Sequence, residues 1–392
     1  MLTLKLKARE ERRLRAGHLW VYSNEIETDD RFRQIEPGSL CRVVDHRGKP
    51  LGTGYVNPRT LLAARLLSGD AQATIDAAWF ERRLQAALAL RARLYPQPHY
   101  RLVYGESDGL PGVVIDRYGA VCVVQITTAG MERLKPVLLD ALRAVVQPAG
   151  IVLRNDSGAR ELEGLPLAEA EVIGEVGDSV EVHEEGLRYR VDLKAGQKTG
   201  FFFDQRDNRS RLQRYVAGRS VLDAFSHVGA WAQRAMRYGA ASATCLDSSQ
   251  AALDAALASA ALNGLKIETI RDEALNGLKG LRAAGRSFDV VVVDPPALIK
   301  RRKDFDAGVE HYAALNRAAL QLLVPDGILV SCSCSHHLDA DDLQRVLLRE
   351  SRQVGRRLQI LEQGGQGPDH PVHPAIPETR YLKAFYCRAL AG

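Results

Sequence analysis

Four apolar segments in the second half of the chain each end on residues able to do chemistry. Val221-Leu222-Asp223-Ala224-Phe225-Ser226-His227-Val228-Gly229 supplies a carboxylate and a loop with one glycine, and Ala243-Thr244-Cys245-Leu246-Asp247 supplies a second carboxylate. Phe288-Asp289-Val290-Val291-Val292-Val293-Asp294-Pro295-Pro296 delivers a third, and Ile328-Leu329-Val330-Ser331-Cys332-Ser333-Cys334-Ser335 delivers two thiols. Strands buried on both faces read as apolar runs of this kind, and an open parallel sheet presents its ligand at their carboxyl ends. With helical segments between them, the four motifs predict an α/β domain with a Rossmann-like sheet.

Asp247 follows Asp223 by 24 positions. That is close to the offset at which a second-strand carboxylate meets ribose hydroxyls. A dinucleotide site needs Gly-x-Gly-x-x-Gly after the first strand so that amides can approach a pyrophosphate, and here Gly229 stands alone. A ligand with an adenosine but no phosphates fits this loop, and S-adenosylmethionine is the candidate. A plainer reading, in which Asp223 and Asp247 only cap strand-to-helix turns, stays open at this point.

At 392 residues, 46% hydrophobic and 26% charged, the chain has the make-up of an ordinary globular protein of two or three domains. The six cysteines form no Cys-x-x-Cys pair and no dense framework, which points away from a secreted disulfide scaffold and toward free thiols in a reducing cytoplasm. No uncharged apolar run approaches the ~20 residues of a membrane helix, and the start lacks a signal peptide's apolar core. A cytoplasmic protein without membrane contact is expected. The net charge of +5 is compatible with a polyanionic partner without identifying one.

Three regions position these motifs. Residues 1–72 read as short strands, among them Leu40–Asp45, Pro50–Val56 and Leu61–Leu67, and suggest a small β-barrel-like module. Its basic run holds Lys5, Lys7, Arg9, Arg12, Arg13 and Arg15 and leads into Gly17-His18-Leu19-Trp20-Val21-Tyr22. This composition suits RNA, or else a solvated face beside a core anchor. Residues 73–190 read as an α+β module. A helix capped by Asp76 carries the stripe Phe80, Leu84, Ala87, Leu88 and Leu94, and a hairpin, a helix over 131–146, a strand over 151–154 and a second hairpin with its turn at 184–186 follow. Residues 191–392 form the α/β domain. It is entered through Gln197-Lys198-Thr199-Gly200-Phe201-Phe202-Phe203-Asp204-Gln205-Arg206-Asp207-Asn208-Arg209, in which aromatics abut more polar groups than a helix cap at Asp204 requires.

Lys198-Thr199-Gly200-Phe201-Phe202-Phe203-Asp204-Gln205-Arg206, Phe225-Ser226-His227-Val228-Gly229, Asp294-Pro295-Pro296, Ser333-Cys334-Ser335 and Tyr381-Leu382-Lys383 together resemble the bacterial large-subunit ribosomal RNA methyltransferase I family, which forms 5-methylcytosine in 23S rRNA. Gly17–Tyr22, Pro37-Gly38 and Val44-Asp45 resemble that family's PUA RNA-binding domain, and Ser107–Gly112 its middle module. Three positions depart from the family: His227-Val228-Gly229-Ala230 replaces Tyr-Thr-Gly-Gly, Ala297-Leu298 replaces Lys-Phe, and His336 replaces a glycine.

The resemblance implies a PUA domain, a small α+β module and a class I S-adenosylmethionine-dependent methyltransferase domain acting on 23S rRNA or a large-subunit precursor. It assigns Cys334 as the nucleophile that adds to carbon 6 of cytosine, with Cys332 on the same strand face by parity as the other candidate. Asp294 is implied at the target base and at the cofactor edge. Asp247 is implied at the ribose, Asp272 near the adenine amino group, and Gln205, Arg206 and Ser226 at the methionine end, with Asp223 and Gly229 completing the cofactor loop. A base methylated at its edge must leave the stack. Lys300, Arg301, Arg302 and Lys303 would then hold phosphates at the opening, unless they form only a solvated loop, with Lys5, Lys7, Arg12, Arg13 and Trp20 as further RNA contacts. A zinc site from Cys332, Cys334, His336 and His337 has the wrong spacing, so no metal is expected. Two rivals remain in view: a methyltransferase of the same fold acting on an exocyclic amine of guanine or adenine, and an inactive RNA-binding assembly factor. A homodimer is compatible with the sequence, and no motif demonstrates one.

Overall fold

In the computed structural model, which describes residues 2–194 and 199–392, the chain divides into two compact units. The first holds the chain through Val180 with Asp192–Phe201 and Pro368–Thr379, and the second holds Glu181–Val191, Phe202–Gly367 and Arg380–Gly392.

Within the first unit, the strands Leu2–Lys5, Trp20–Val21, Ser39–Val44, Pro50–Val56 and Ala64–Ser68 make one five-stranded sheet. Its core gathers Leu4, Leu6, Val21, Ile26, Cys41, Val43, Val56 and Leu66. A second five-stranded sheet runs from His99–Tyr104 through Val113–Tyr118, Val121–Ile126 and Gly150–Leu153 to Glu171–Gly174 and shares its core with the helices Ala77–Leu94 and Ala129–Val146. Asp76 caps the first of these helices by accepting the Trp79 amide at 2.9 Å. The helix departs from the simple stripe in two places. Leu94 is exposed, while Arg91 is fully buried, its guanidinium meeting both Asp108 oxygens at 2.6 and 2.7 Å. A charged residue pairs its way into the core here, which hydrophobic periodicity does not report.

The second unit is built on a seven-stranded sheet. Its strands are β1 (Ser220–Ala224), β2 (Ser242–Asp247), β3 (Glu268–Arg271), β4 (Phe288–Val293), β5 (Leu323–Ser333), β6 (Arg356–Gly364) and β7 (Lys383–Ala391), in the order β3-β2-β1-β4-β5-β7-β6. The first five are parallel, and β7 runs antiparallel between β5 and β6. Alternate residues serve opposite faces, as a strand's twofold period requires. Leu222, Ala224, Val291 and Val293 pack with residues of α3 (Ala274–Ala283), α4 (Phe305–Leu322) and α5 (Ala340–Gln353). Val221, Val290, Val292 and Cys332 pack with residues of α1 (Ala230–Arg237) and α2 (Gln250–Leu262). The hairpin Val180–Glu184 and Leu187–Val191 forms a separate two-stranded sheet. The strand order reverses at β1 and β4, so the crevice beyond their carboxyl ends is where such a sheet binds its ligand.

Candidate active site

β1 ends in the loop Phe225–Gly229, which takes positive φ at Phe225, His227 and Gly229. The amides of Phe225 and Ser226 both donate to the Leu246 carbonyl, and the His227 amide donates to Asp247 Oδ2 at 2.9 Å. Asp247 Oδ1 accepts the Ser249 amide at the same distance, so the carboxylate at the end of β2 fastens the loop after β1. Gly229 has φ +70°, and a Cβ there would stand 3.0 Å from Ala256 Cβ and 3.2 Å from Cys245 Sγ. Both the conformation and the close approach call for glycine. Ala230 opens α1 and is buried, as is Ser226. Burial lowers His227 to about 4, which leaves its imidazole neutral near pH 7.

Asp223 is fully buried. Its Oδ2 accepts the Ala232 amide at 3.1 Å, while Oδ1 has no hydrogen-bond partner among the described residues. Burial raises it well above the ordinary carboxylate range, and the nearby Asp294 and Asp247 add to the rise. Asp204 Oδ1 is another buried oxygen without a partner among the described residues, although Asp204 Oδ2 accepts the Tyr381 hydroxyl at 2.5 Å. Buried polar atoms left in this state call for a ligand or an ordered water. Asp272 is exposed beside β2, its amide donating to the Asp247 carbonyl at 3.1 Å.

Asp294 follows β4 and is held from both sides, Oδ1 by Gln205 Nε2 at 2.9 Å and Oδ2 by Trp231 Nε1 at 3.0 Å. Burial pushes it up to about 6, reinforced by Asp204 and opposed by those two donors. Gln205 in turn accepts from Asn208 at 2.6 Å. Most of the polar residues after Phe203 are therefore interior, with Asp207 exposed among them. Asp204, Gln205, Arg206, Asn208 and Arg209 are all buried, and the helix Arg206–Arg211 has no side-chain cap. Arg206 Nε donates to Glu184 at 3.2 Å. Lys198 lies outside the described residues, and Thr199 binds the Tyr118 hydroxyl through its carbonyl at 3.0 Å.

The two candidate thiols differ. Cys332 lies within β5, is 1% exposed and packs in the core, and burial raises it well above an ordinary thiol. Cys334 lies one residue beyond the strand, is partly exposed, and places Sγ 3.8 Å from the Pro295 carbonyl, next to Asp294. Strand parity puts both thiols on one face, but the end of β5 separates a packed thiol from an accessible one. The turn carrying Cys334 is braced by hydroxyls: Ser333 Oγ and Ser335 Oγ each lie 2.9 Å from the Tyr312 hydroxyl, and the Ile299 amide donates to Ser335 Oγ at 3.0 Å. Beyond Ile299, Lys300, Arg301, Arg302 and Lys303 are all exposed.

In the first unit the basic run is partly neutralised. Lys5 pairs with Glu27, Arg13 with Glu25 and Arg15 with Asp45, while Lys7 donates to the Asn24 carbonyl and Arg12 is exposed. Trp20 is half-buried, its indole N–H donating to Glu106 at 2.9 Å. Among the described residues, no group of three or more His, Cys, Asp or Glu side chains is arranged to hold a metal ion. No described helix is long and apolar enough to cross a membrane. Trp231, Asn208 and Tyr312 are site residues that the sequence reading missed. The one signal available for Trp231 was a tryptophan placed two residues after the loop glycine.

This sheet order, with carboxylates at the ends of β1, β2 and β4, defines a class I methyltransferase. In agreement, the family profile for S-adenosylmethionine-dependent methyltransferases matches residues 154–387, and that for a PUA-like domain matches residues 4–69. The cofactor is S-adenosylmethionine. Over 391 residues the chain is 39% identical to the ribosomal RNA large subunit methyltransferase I of Klebsiella pneumoniae (strain 342), covering 98% of this chain and 97% of that one. It is 37% identical to the protein of the same name from Escherichia coli O9:H4 (strain HS), with 98% of each covered. The chain belongs to the ribosomal RNA large subunit methyltransferase I family. A solved Streptococcus mutans structure, described as an S-adenosylmethionine-dependent methyltransferase, superposes with a TM-score of 0.84 over 99% of this chain and 100% of that one, at 20% identity, a likeness that concerns the fold.

Proposed function

We propose that this protein methylates carbon 5 of a cytosine in large-subunit ribosomal RNA through a covalent adduct on Cys334. The observation that carries the reading is the partly exposed Cys334 thiol beside the Pro295 carbonyl, directly after Asp294, while Cys332 is packed away. The relatives' name, ribosomal RNA large subunit methyltransferase I, supports large-subunit rRNA as the substrate, taken in this reading as the mature RNA or a precursor in the cytoplasm.

S-adenosylmethionine, when bound, supplies an electrophilic methyl group. The chain's residues do the rest. The Cys334 thiolate adds to carbon 6, which makes carbon 5 nucleophilic. A base removes the carbon 5 proton after transfer, and the thiolate leaves as the ring double bond reforms. Asp294, held by Gln205 and Trp231 and raised to about 6, is positioned to hydrogen bond to the ring nitrogen or amino group during addition. For the cofactor, Asp247 takes the ribose and Asp272 the adenine amino group, while Asp223, Ser226, Gly229, Gln205 and Arg206 line the methionine side. The orphaned Asp223 and Asp204 oxygens fit a ligand rich in hydrogen-bond donors. Lys300–Lys303 hold phosphates at the opening, and the N-terminal residues 1–72 add contacts through Lys5, Lys7, Arg12, Arg13 and Trp20. The working division is residues 1–72 for RNA, 73–190 as a module between, and 191–392 for chemistry.

The test incubates the full chain with S-adenosylmethionine and unmethylated large-subunit rRNA, wild type beside Cys334→Ala, and identifies the nucleosides by mass spectrometry. New 5-methylcytidine that vanishes in the variant is expected. A methylated guanosine or adenosine that survives the substitution would assign the protein to amine methylation, and no product with intact cofactor binding would assign it to assembly.

A further inference from the structure

We propose that Lys383 is the positioning residue for Cys334, fastening the turn that carries the thiol and stabilising its thiolate with a buried ammonium. This rests on the nucleophile reading above.

The geometry comes from β7. Lys383 opens that strand, and its register partner on β5 is Ser333, the residue before Cys334. Its Nζ donates to the carbonyl of Ser335, the residue after Cys334, at 2.6 Å, and to the Tyr381 carbonyl at 2.8 Å. Lys383 thus lies opposite the residue before the thiol and holds by its ammonium the carbonyl of the residue after it. It is only 8% exposed. Burying an ammonium is unfavourable unless a negative group answers it. Among the described residues both of its acceptors are neutral carbonyls, which leaves one of the three ammonium hydrogens for a further partner.

The charged and titratable groups around the turn leave this role to Lys383. Tyr312, on α4, is raised by burial and stays neutral, as does the buried Cys332 thiol on β5. Asp294 at the end of β4, raised to about 6, adds negative charge on the Cys332 side, which opposes a thiolate. Asp339 and Asp342, at the start of α5, act on Lys383, and His336 and His337 are exposed beyond Ser335. Burial lowers Lys383 to about 8, and of the groups that hold its charge in place the Cys334 thiol comes first, ahead of both aspartates. The support is reciprocal, since a thiolate that favours the ammonium is favoured by it in equal measure.

The experiment measures alkylation of Cys334 by iodoacetamide in the full-length protein from pH 5 to 10, read at the Cys334 peptide by mass spectrometry. The thiolate sulfur forms a bond to the methylene carbon as iodide leaves, the thiol proton having passed to solvent, so the rate reports the thiolate fraction. Lys383→Met is expected to raise the midpoint by about one unit and to slow alkylation at pH 7 roughly tenfold. Lys383→Arg should hold the midpoint near that of wild type. Above about pH 8 the wild-type advantage should narrow as Lys383 itself loses its proton. Tyr312→Phe, which removes the hydroxyl brace and leaves the charge, should not move the midpoint. If Lys383→Met does not fold, Lys383→Gln, which keeps a donor for the carbonyls, takes its place. An unmoved midpoint in a folded Met or Gln variant overturns the proposal. The readout needs no RNA: a midpoint shift in a protein that forms no 5-methylcytidine would leave Lys383's role standing and remove the cytosine reading, and 5-methylcytidine without a shift would do the reverse.

Discussion

In the proposed cofactor site, Asp247 carries two duties on one carboxylate. Each oxygen accepts one backbone amide, from His227 and from Ser249, and each keeps a lone pair for the ribose of the proposed cofactor site. Asp247→Asn retains one acceptor and should weaken S-adenosylmethionine binding about tenfold. Asp247→Ala, which also frees the loop, should weaken it about a hundredfold, given ~1.5–3 kcal/mol for a hydrogen bond to a charged group. Titration calorimetry checks both, and an alanine variant that binds as tightly as wild type would remove Asp247 from the site. Residue types and spacing made the place of this carboxylate at the end of β2 legible, because a strand end and a fixed offset are local features. The choice of Cys334 over Cys332 was not legible from parity alone. It depends on where β5 stops and on what packs over its last residue.

At the scale of elements, the buried carboxylate Glu184 ties a hairpin to two helices. Its Oε1 accepts from Arg209 Nε at 2.9 Å and Arg234 at 2.8 Å, and its Oε2 accepts from Arg209 at 2.7 Å and Arg206 at 3.2 Å. Burial alone would raise this carboxyl, but the three guanidiniums outweigh it and hold it near 2. A folded value below the unfolded one means that the stabilisation is present in full above about pH 4.5 and is lost as pH falls toward about 2. Glu184→Gln faces an amide toward guanidiniums and leaves buried charge uncompensated. It should destabilise the fold by roughly 3–5 kcal/mol at pH 7, with the gap to wild type closing in acid. Urea unfolding at pH 7 and at pH 3 measures this, and an equal gap at both would refute the linkage. Within the sequence, Glu184 read only as part of a turn, since the arginines that answer it come from elements up to fifty residues away.

For the whole molecule, a net charge of +5 is too small to bind RNA by bulk attraction, so any electrostatic grip must come from local clusters. Several N-terminal basic residues are already paired with carboxylates, whereas Lys300, Arg301, Arg302 and Lys303 are exposed next to the Cys334 turn, Arg301 pairing with Asp304. Replacing all four with glutamine should lower the slope of log affinity against log salt by about two to three, taking about 0.7 per phosphate contact on single strands. Filter binding across a salt series tests this, and an unchanged slope would return the run to a solvated loop. By itself the sequence determined the class of the second unit, the order of its strand-end motifs and the cofactor, because alternating burial and strand-end chemistry are written in neighbouring residues. Only the tertiary structure decided that Asp204, Gln205, Arg206, Asn208 and Arg209 are interior, that Trp231 and Gln205 hold Asp294, and that Lys383 closes on the turn of Cys334. Each of those contacts joins residues dozens of positions apart, and their burial and pairing exist only once the sheet has assembled and excluded water.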